Sequence, residues 1–314
     1  MIKRFLNSFT KTKTESSVED SSGSPLGIRE KESFQTKAAD VSTPYLDSHS
    51  NVISSNESAR NGENETSSTS NCRSLVFANG KGGVGKSTIA LLSSLHLAIR
   101  MPDYKVELID LDKQGTSNDS INPFVSSRLS VLSNEEFVLR SGEANNGKIY
   151  GYLKSHFGEQ SKCVFVDTPA GTSPTDWSFM FGSNFIFVPT SSSDPDLRAT
   201  KKFLKLLFDK KFGLKDGFRS SPTSTRQPFV VVVPNFIEDK DDLLTINGAL
   251  QEFPCYLGKP LFYRKPFRKA FREGATDENV VEMLKLSNDF SEWFIDLILH
   301  GPSSIASLHR LWQL

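Results

Sequence analysis

Cysteine is scarce in this 314-residue chain: Cys72, Cys163 and Cys255 stand far apart, with no paired spacing. That leaves no disulfide framework and no zinc or iron–sulfur motif, and it suits a reducing compartment such as the cytoplasm. An excess of one charge is also missing. Lys+Arg and Asp+Glu each total 37, for a net charge of zero, so the chain as a whole does not seek polyanions and any nucleic-acid surface must be a local patch. No uninterrupted run approaches the roughly 18 apolar residues needed to span a bilayer. Hydrophobic residues make up only 37%, which is low for a chain that packs along its whole length.

The shortfall has an evident source. Residues 10–71 are dominated by Ser, Thr, Asn, Glu, Lys and Asp, and such a segment buries too little surface to offset the entropy of ordering it. Residues 1–71 are therefore expected to form a disordered N-terminal arm. Within it, Ile2, Phe5, Leu6 and Phe9 fall at helical spacing beside Lys3 and Arg4. Three readings stand for this start: a short amphipathic element for a partner or membrane surface, a transit peptide, and a frayed terminus. At the other end, Ile305, Leu308, Leu311 and Trp312 would share one helical face of a tail over 301–314, either packed on the core or laid on a membrane.

Between these ends, 72–300 alternates short β-prone runs with longer helical ones. Strands are expected at 74–79, 105–110, 163–167, 184–188, 229–233 and 261–264, and helices at 87–100, 197–209, 241–252, 266–272, 277–286 and 288–299. Val164-Phe165-Val166, Phe185-Ile186-Phe187-Val188 and Phe229-Val230-Val231-Val232-Val233 are continuous apolar runs. Strands buried on both faces read this way, as in a mostly parallel twisted sheet flanked by helices on both faces. The fold class is α/β, in one domain of about 230 residues.

One stretch carries the chemistry. Gly80-Lys81-Gly82-Gly83-Val84-Gly85-Lys86-Ser87-Thr88 follows the apolar run Ser74–Ala78 and leads into Ile89-Ala90-Leu91-Leu92. Strand, glycine loop and helix form the context a phosphate loop requires. Closely spaced glycines let the backbone curl until several N–H groups face one cluster of phosphate oxygens, and the helix adds its positive end. Lys86 would reach the β- and γ-phosphates and the Ser87 hydroxyl would ligate magnesium. A plain glycine turn would not need Lys-Ser in register.

Carboxylates follow at strand ends, where open α/β sheets bind ligands. Asp110 and Asp112 close the second strand and Asp167 the third, ahead of Thr168-Pro169-Ala170-Gly171. Hydrolysis of a nucleotide needs magnesium beside the β- and γ-phosphates and a water aligned with the γ-phosphorus, and carboxylates at these ends can serve both needs. No histidine follows the second strand; His96 and His156 lie elsewhere.

Lys81–Thr88, Asp110-Leu111-Asp112-Lys113-Gln114-Gly115 and Asp167–Gly171 resemble the deviant Walker A, switch I and switch II segments of the ParA/MinD ATPases, a P-loop NTPase family of the SIMIBI type. Val233-Pro234-Asn235 is similar to the family's strand and asparagine at adenine, and Arg264–Gly274 to its late basic segment. The resemblance covers about residues 74–290. It implies ATP and Mg2+ as cofactors and an ATP-dependent homodimer in which Lys81 touches the partner subunit's phosphates. Gly80, Gly82, Gly83, Val84 and Gly85 would wrap the phosphates by backbone, with Thr88 on the α-phosphate. Asp112 would orient the attacking water, with Asp110 and Asp167 reaching magnesium through water, and Asn235 would read the adenine edge. Lys113 stands where partition members often carry proline.

Basic residues gather at Lys201, Lys202, Lys205, Lys210 and Lys211, and again at Arg264, Lys265, Arg268, Lys269 and Arg272. The second group is the expected contact for non-specific DNA phosphates. The leading expectation is a ParA-like switch that partitions DNA such as a plasmid, with slow hydrolysis stimulated by a DNA-bound adaptor of ParB type. The alternatives are a MinD-like or conjugation-related ATPase that positions a membrane or pole-bound cargo, and an ATP-dependent metabolic synthase on the same fold.

Overall fold

Strands that are apolar on both faces need cover on both faces, and this requirement organises the molecule. In the computed structural model the described residues are 73–112, 128–156, 159, 161–209, 228–262, 265–270 and 277–301. They all belong to one compact unit; a second unit, Thr14–Thr69, lies outside them, as does the tail beyond residue 301. The strands are β1 (Arg73–Phe77), β2 (Lys105–Asp110), β3 (Leu129–Leu132), β4 (Lys162–Asp167), β5 (Phe185–Thr190), β6 (Phe229–Ile237), β7 (Tyr256–Leu257) and β8 (Leu261–Phe262). Their order is β3-β2-β4-β1-β5-β6-β7, with β8 paired to β6. Among the described residues every pairing is parallel.

The helices are α1 (Lys86–Arg100), α2 (Asn134–Ser141), α3 (Asn146–Ser155), α4 (Asp194–Leu207), α5 (Lys240–Leu250), α6 (Lys265–Ala270), α7 (Asp277–Leu286) and α8 (Asn288–His300). Buried residues of α1, α7 and α8 cover one face of the sheet, and those of α2 to α5 cover the other. The expected strands and helices are all present within a few residues of their predicted limits. Three features go beyond the sequence reading: the short strands β3 and β7, the helices α2 and α3, and an earlier start for α4 at Asp194 with Pro195 in its first turn.

On the α1/α8 face, phenylalanines from neighbouring strands stack with their rings nearly parallel across the sheet. Phe77 lies 5.9 Å from Phe165 and 5.2 Å from Phe187, and Phe294 of α8 closes over Phe187 at 5.0 Å. Ring pairs at such separations add attraction beyond the area they bury. This stack lies under β1 and so fixes the strand that launches the glycine loop.

Charge is handled by local pairing. Glu107, buried in β2, accepts from the Tyr152 hydroxyl of α3 at 2.7 Å and lies 3.4 Å from the Lys162 ammonium. Burial and the bond to Glu107 raise the Tyr152 hydroxyl above its ordinary range. Lys162 opens β4 while Asp167 closes it, so this cluster, with His156 beside Glu159, occupies the end of the strand opposite the carboxylates. His96 of α1 is buried against the Ser287 hydroxyl at 2.8 Å.

Burial, aided by the nearby Arg100 charge, pulls the His96 imidazole down to about 3. The unfolded chain therefore takes up a proton near pH 6.5 that the folded chain refuses. Stability from this group is complete above pH 6.5 and falls by about 1.4 kcal/mol per unit as the pH drops toward 3. Urea unfolding at pH 7, 6 and 5 should show a shallower decline for His96→Gln than for the parent chain; equal slopes would assign the pH dependence elsewhere.

Candidate nucleotide-phosphate site

β1 sits between β4 and β5, so the loop that leaves it emerges at the carboxyl edge beside Asp167 at the end of β4, with Asp110 of β2 one strand further on. Gly83 and Gly85 have φ of 79° and 93°, a region that side chains disfavour. At Gly85 the demand is doubled, because a Cβ there would lie 2.0 Å from Asn235 Nδ2. Gly82 packs close to switch II, with a Cβ at that position 3.3 Å from Ala170 Cβ. Gly80, Gly82 and Gly83 are exposed, Val84 is buried, and Lys81, Gly85, Ser87 and Thr88 are half-buried. α1 begins on Gly85 with no side-chain cap and no acid in its first turn. Its leading N–H groups thus remain available to an anion.

The two lysines of the loop separate. Lys86 is 6% exposed, and its ammonium donates to the Lys81 carbonyl at 3.1 Å. Burial lowers its proton affinity, countered by the charges of Asp167 and Asp112. Lys81 is half-buried, and its own backbone N–H donates to Asn79 Oδ1 at 3.1 Å. Among the described residues no side-chain hydrogen bond or ion pair commits its ammonium.

The carboxylates converge as strand register dictates. Asp110 pairs with Asp167 across β2 and β4, and Asp167 with Phe77 at the end of β1. Both are buried. Asp112, half-buried, donates its backbone N–H to Asp110 Oδ1 at 2.9 Å. Thr168 ties switch II to β1 by donating its hydroxyl to the Phe77 carbonyl at 2.8 Å. Lys113, Gln114 and Gly115 lie outside the described residues.

Asn235, expected at adenine, stands behind the loop at 3% exposure and donates Nδ2 to the Val84 carbonyl at 2.9 Å. In this arrangement its amide shapes the loop. Of the expected DNA contacts, Lys265 is exposed at the start of α6. Arg268 and Lys269 belong to the same helix, whereas Arg264 and Arg272 lie outside the described residues. On α4, Arg198, Lys202 and Lys205 are exposed and Lys201 is half-buried; Lys210 and Lys211 lie outside the described residues. His96 and His156 do not join this site.

Sequence reasoning missed Asn79. Fully buried, it accepts from the Lys81 N–H and donates to the Pro189 carbonyl at 2.8 Å and to Thr200 Oγ1 at 2.9 Å. The available signal was an amide side chain closing an apolar strand directly ahead of the first loop glycine. Arg198, exposed one helical turn ahead of Lys202, extends the basic face of α4.

A parallel sheet with a glycine loop after its central strand, an uncapped helix start and strand-end carboxylates defines a P-loop nucleotide-binding protein. More narrowly, the chain belongs to the CobQ/CobB/MinD/ParA nucleotide-binding domain family, a group of P-loop ATPases, which it matches over residues 75–280. A structure of pNOB8 ParA bound to nonspecific DNA superposes with a TM-score of 0.53 at 17% identity, covering 75% of this chain and 99% of that one. A ParA family ATPase from Chlorobium tepidum gives 0.50 at 17% identity, covering 74% and 99%. These two likenesses concern the fold. A cytosolic Fe-S cluster assembly factor NUBP2 homolog from Monosiga brevicollis is 32% identical over 123 residues. That match spans 32% of this chain and 43% of the relative, less than half its length. Among the described residues no helix is long and apolar enough to cross a membrane.

Gly85→Ala should lose nucleotide affinity by at least a hundredfold, because the new methyl meets Asn235 in a backbone region it disfavours. Titration with a fluorescent ADP analogue reads this directly; a near-parental affinity would mean that the loop tolerates the rearrangement.

Proposed function

We propose that this chain is an ATP-hydrolysing dimer switch that partitions or positions DNA. The observation that carries the reading is the divergence of the two loop lysines. Lys86 is buried and turned onto its own loop, poised for the phosphates of its own nucleotide. Lys81 keeps its ammonium uncommitted at the half-buried outer side of the loop, suited to the phosphates of a second copy. A triphosphate shared in this way closes the dimer, and its cleavage releases it.

Magnesium fits the residues present. Ser87 at the head of α1 and the carboxylates of Asp110 and Asp167 form an all-oxygen donor set, the kind that hard cations take. Among the described residues no group of three or more His, Cys, Asp or Glu could hold a metal by itself, so nucleotide oxygens and water would complete the shell. Ser87 would hold the ion, with Asp110 and Asp167 acting through its waters; when bound, it neutralises charge on the β- and γ-phosphates. Asp112 would align the attacking water. With no histidine at the site, water positioning and charge stabilisation supply the rate enhancement, so unassisted turnover is slow and a partner, here an adaptor of ParB type on DNA, accelerates it.

The basic surface supplies the cargo side. Lys265 with Arg264, Arg268, Lys269 and Arg272 would contact DNA phosphates without reading sequence, and dimerisation doubles that surface. The relative solved with nonspecific DNA shares this fold, which supports DNA over a membrane or pole-bound cargo. Such a protein would work in the cytoplasm, on the nucleoid.

Lys86→Ala should abolish nucleotide binding. Lys81→Ala should bind ATP within a few-fold of the parent yet stay monomeric in light scattering; a normal dimer with normal hydrolysis would remove the proposed role of that lysine. DNA titration with ATP, ADP and no nucleotide at two salt concentrations, beside liposome sedimentation, tests the cargo. ATP-dependent, salt-sensitive DNA retention is the expected result, and liposome retention alone would replace it with the membrane reading.

A further inference from the structure

The Lys81 backbone is held by a buried polar chain that ends on another helix. Asn79, Thr190 and Thr200 are each 0% exposed. The Asn79 carboxamide spends both of its hydrogens, on the Pro189 carbonyl of β5 and on Thr200 Oγ1 of α4, while its oxygen takes the Lys81 N–H. Because Thr200 Oγ1 accepts from Asn79, its own hydrogen goes onward to Thr190 Oγ1 at 2.9 Å, and the Thr190 hydroxyl donates to the Ser191 carbonyl at 3.3 Å. Ser191 in turn donates its hydroxyl to Asp196 Oδ2 in the first turn of α4 at 2.6 Å. The donors thus run one way, from the loop through Thr200 of α4 to the Ser191 carbonyl, and the separate hydroxyl of Ser191 ties the same residue to the start of α4.

Such a network has little slack. An amide or hydroxyl at zero exposure has no water to turn to, so breaking one link leaves a buried polar group unmet. A shift of the Lys81 peptide therefore has two outcomes: the Asn79 amide moves with it and drags α4, or the network breaks. The outer face of α4 carries exposed Arg198, Lys202 and Lys205 at successive turns, so the helix tied to the loop is also a basic helix.

We infer that Asn79 and Thr200 are positioning residues for Lys81: they set the peptide from which its side chain reaches a second copy, and they tie that setting to the placement of α4. This inference rests on the dimer reading of Lys81. It assigns Asn79 and Thr200 no contact with nucleotide; they act through the loop and through the helix.

The test uses the full chain with four variants: Thr200→Val, which keeps the shape and removes the hydroxyl; Thr200→Ser, which keeps the hydroxyl; Asn79→Ala; and Lys81→Ala. ADP affinity is read by fluorescent titration and ATP-driven dimerisation by light scattering across protein concentration. Thr200→Val should bind ADP within about twofold of the parent while the concentration for half-dimerisation rises at least tenfold. Thr200→Ser should restore it to within about threefold, and Asn79→Ala should match or exceed the Thr200→Val defect. A Thr200→Val chain that dimerises like the parent, while Lys81→Ala does not, overturns the inference and leaves the dimer reading in place. If Lys81→Ala also dimerises normally, both fall. Equal defects in Thr200→Val and Thr200→Ser would overturn it too, since packing rather than the hydroxyl would then be responsible.

Discussion

An ammonium withdrawn from water is the constraint on which this structure turns. Lys86 gives up most of its hydration inside a loop of backbone dipoles, and the charges of Asp167 and Asp112, with the bond to the Lys81 carbonyl, offset that loss. A buried cation of this kind is costly unless compensated. The loop around it therefore has to be over-determined by its neighbours. Asn235 props it from β6, Asn79 from β1 and β5, and Ala170 of switch II abuts Gly82. Each support reaches the loop from a different strand, and the parallel strand order is what brings those strand ends together.

The site also shows how a sheet distributes labour between its two ends. At the carboxyl edge the first turn of α1 carries no side-chain cap and no acid. Toward the opposite end, Glu107, Lys162 and Tyr152 compensate one another within the chain. Among the phenylalanines between them, Phe77 illustrates the coupling: its ring belongs to the stack, its carbonyl accepts from Thr168, and it stands in register with Asp167. Packing on one face thereby sets the position of chemistry at the edge.

Much of this was legible in the residues, for reasons that also explain what was not. The strands β1, β2, β4, β5 and β6 announce themselves because burial on both faces removes polar alternation. β3 escapes notice because Leu129-Ser130-Val131-Leu132 is short and partly exposed, so neither length nor continuity marks it. α2 carried a readable signal in the capping box between Ser133 and Glu136, and α3 in the Asn145 cap; hydrophobic periodicity, weak in helices with one or two buried residues, hid them. The glycine loop between β1 and α1, and the aspartates closing β2 and β4, could be placed from the order of residues along the chain. The work of Asn79 could not be, since besides the nearby Lys81 N–H its partners lie 110 and 121 residues away and no local pattern encodes contacts of that reach.

The borders of the sheet restrict how another copy can approach. One margin ends in β3, four residues long, and the other in β7, with two. Neither stub presents enough unpaired amides to template a continuing ladder, and short margins of this sort are how β-rich proteins avoid stacking into fibres. Self-association by lengthening the sheet at these two margins is thereby discouraged.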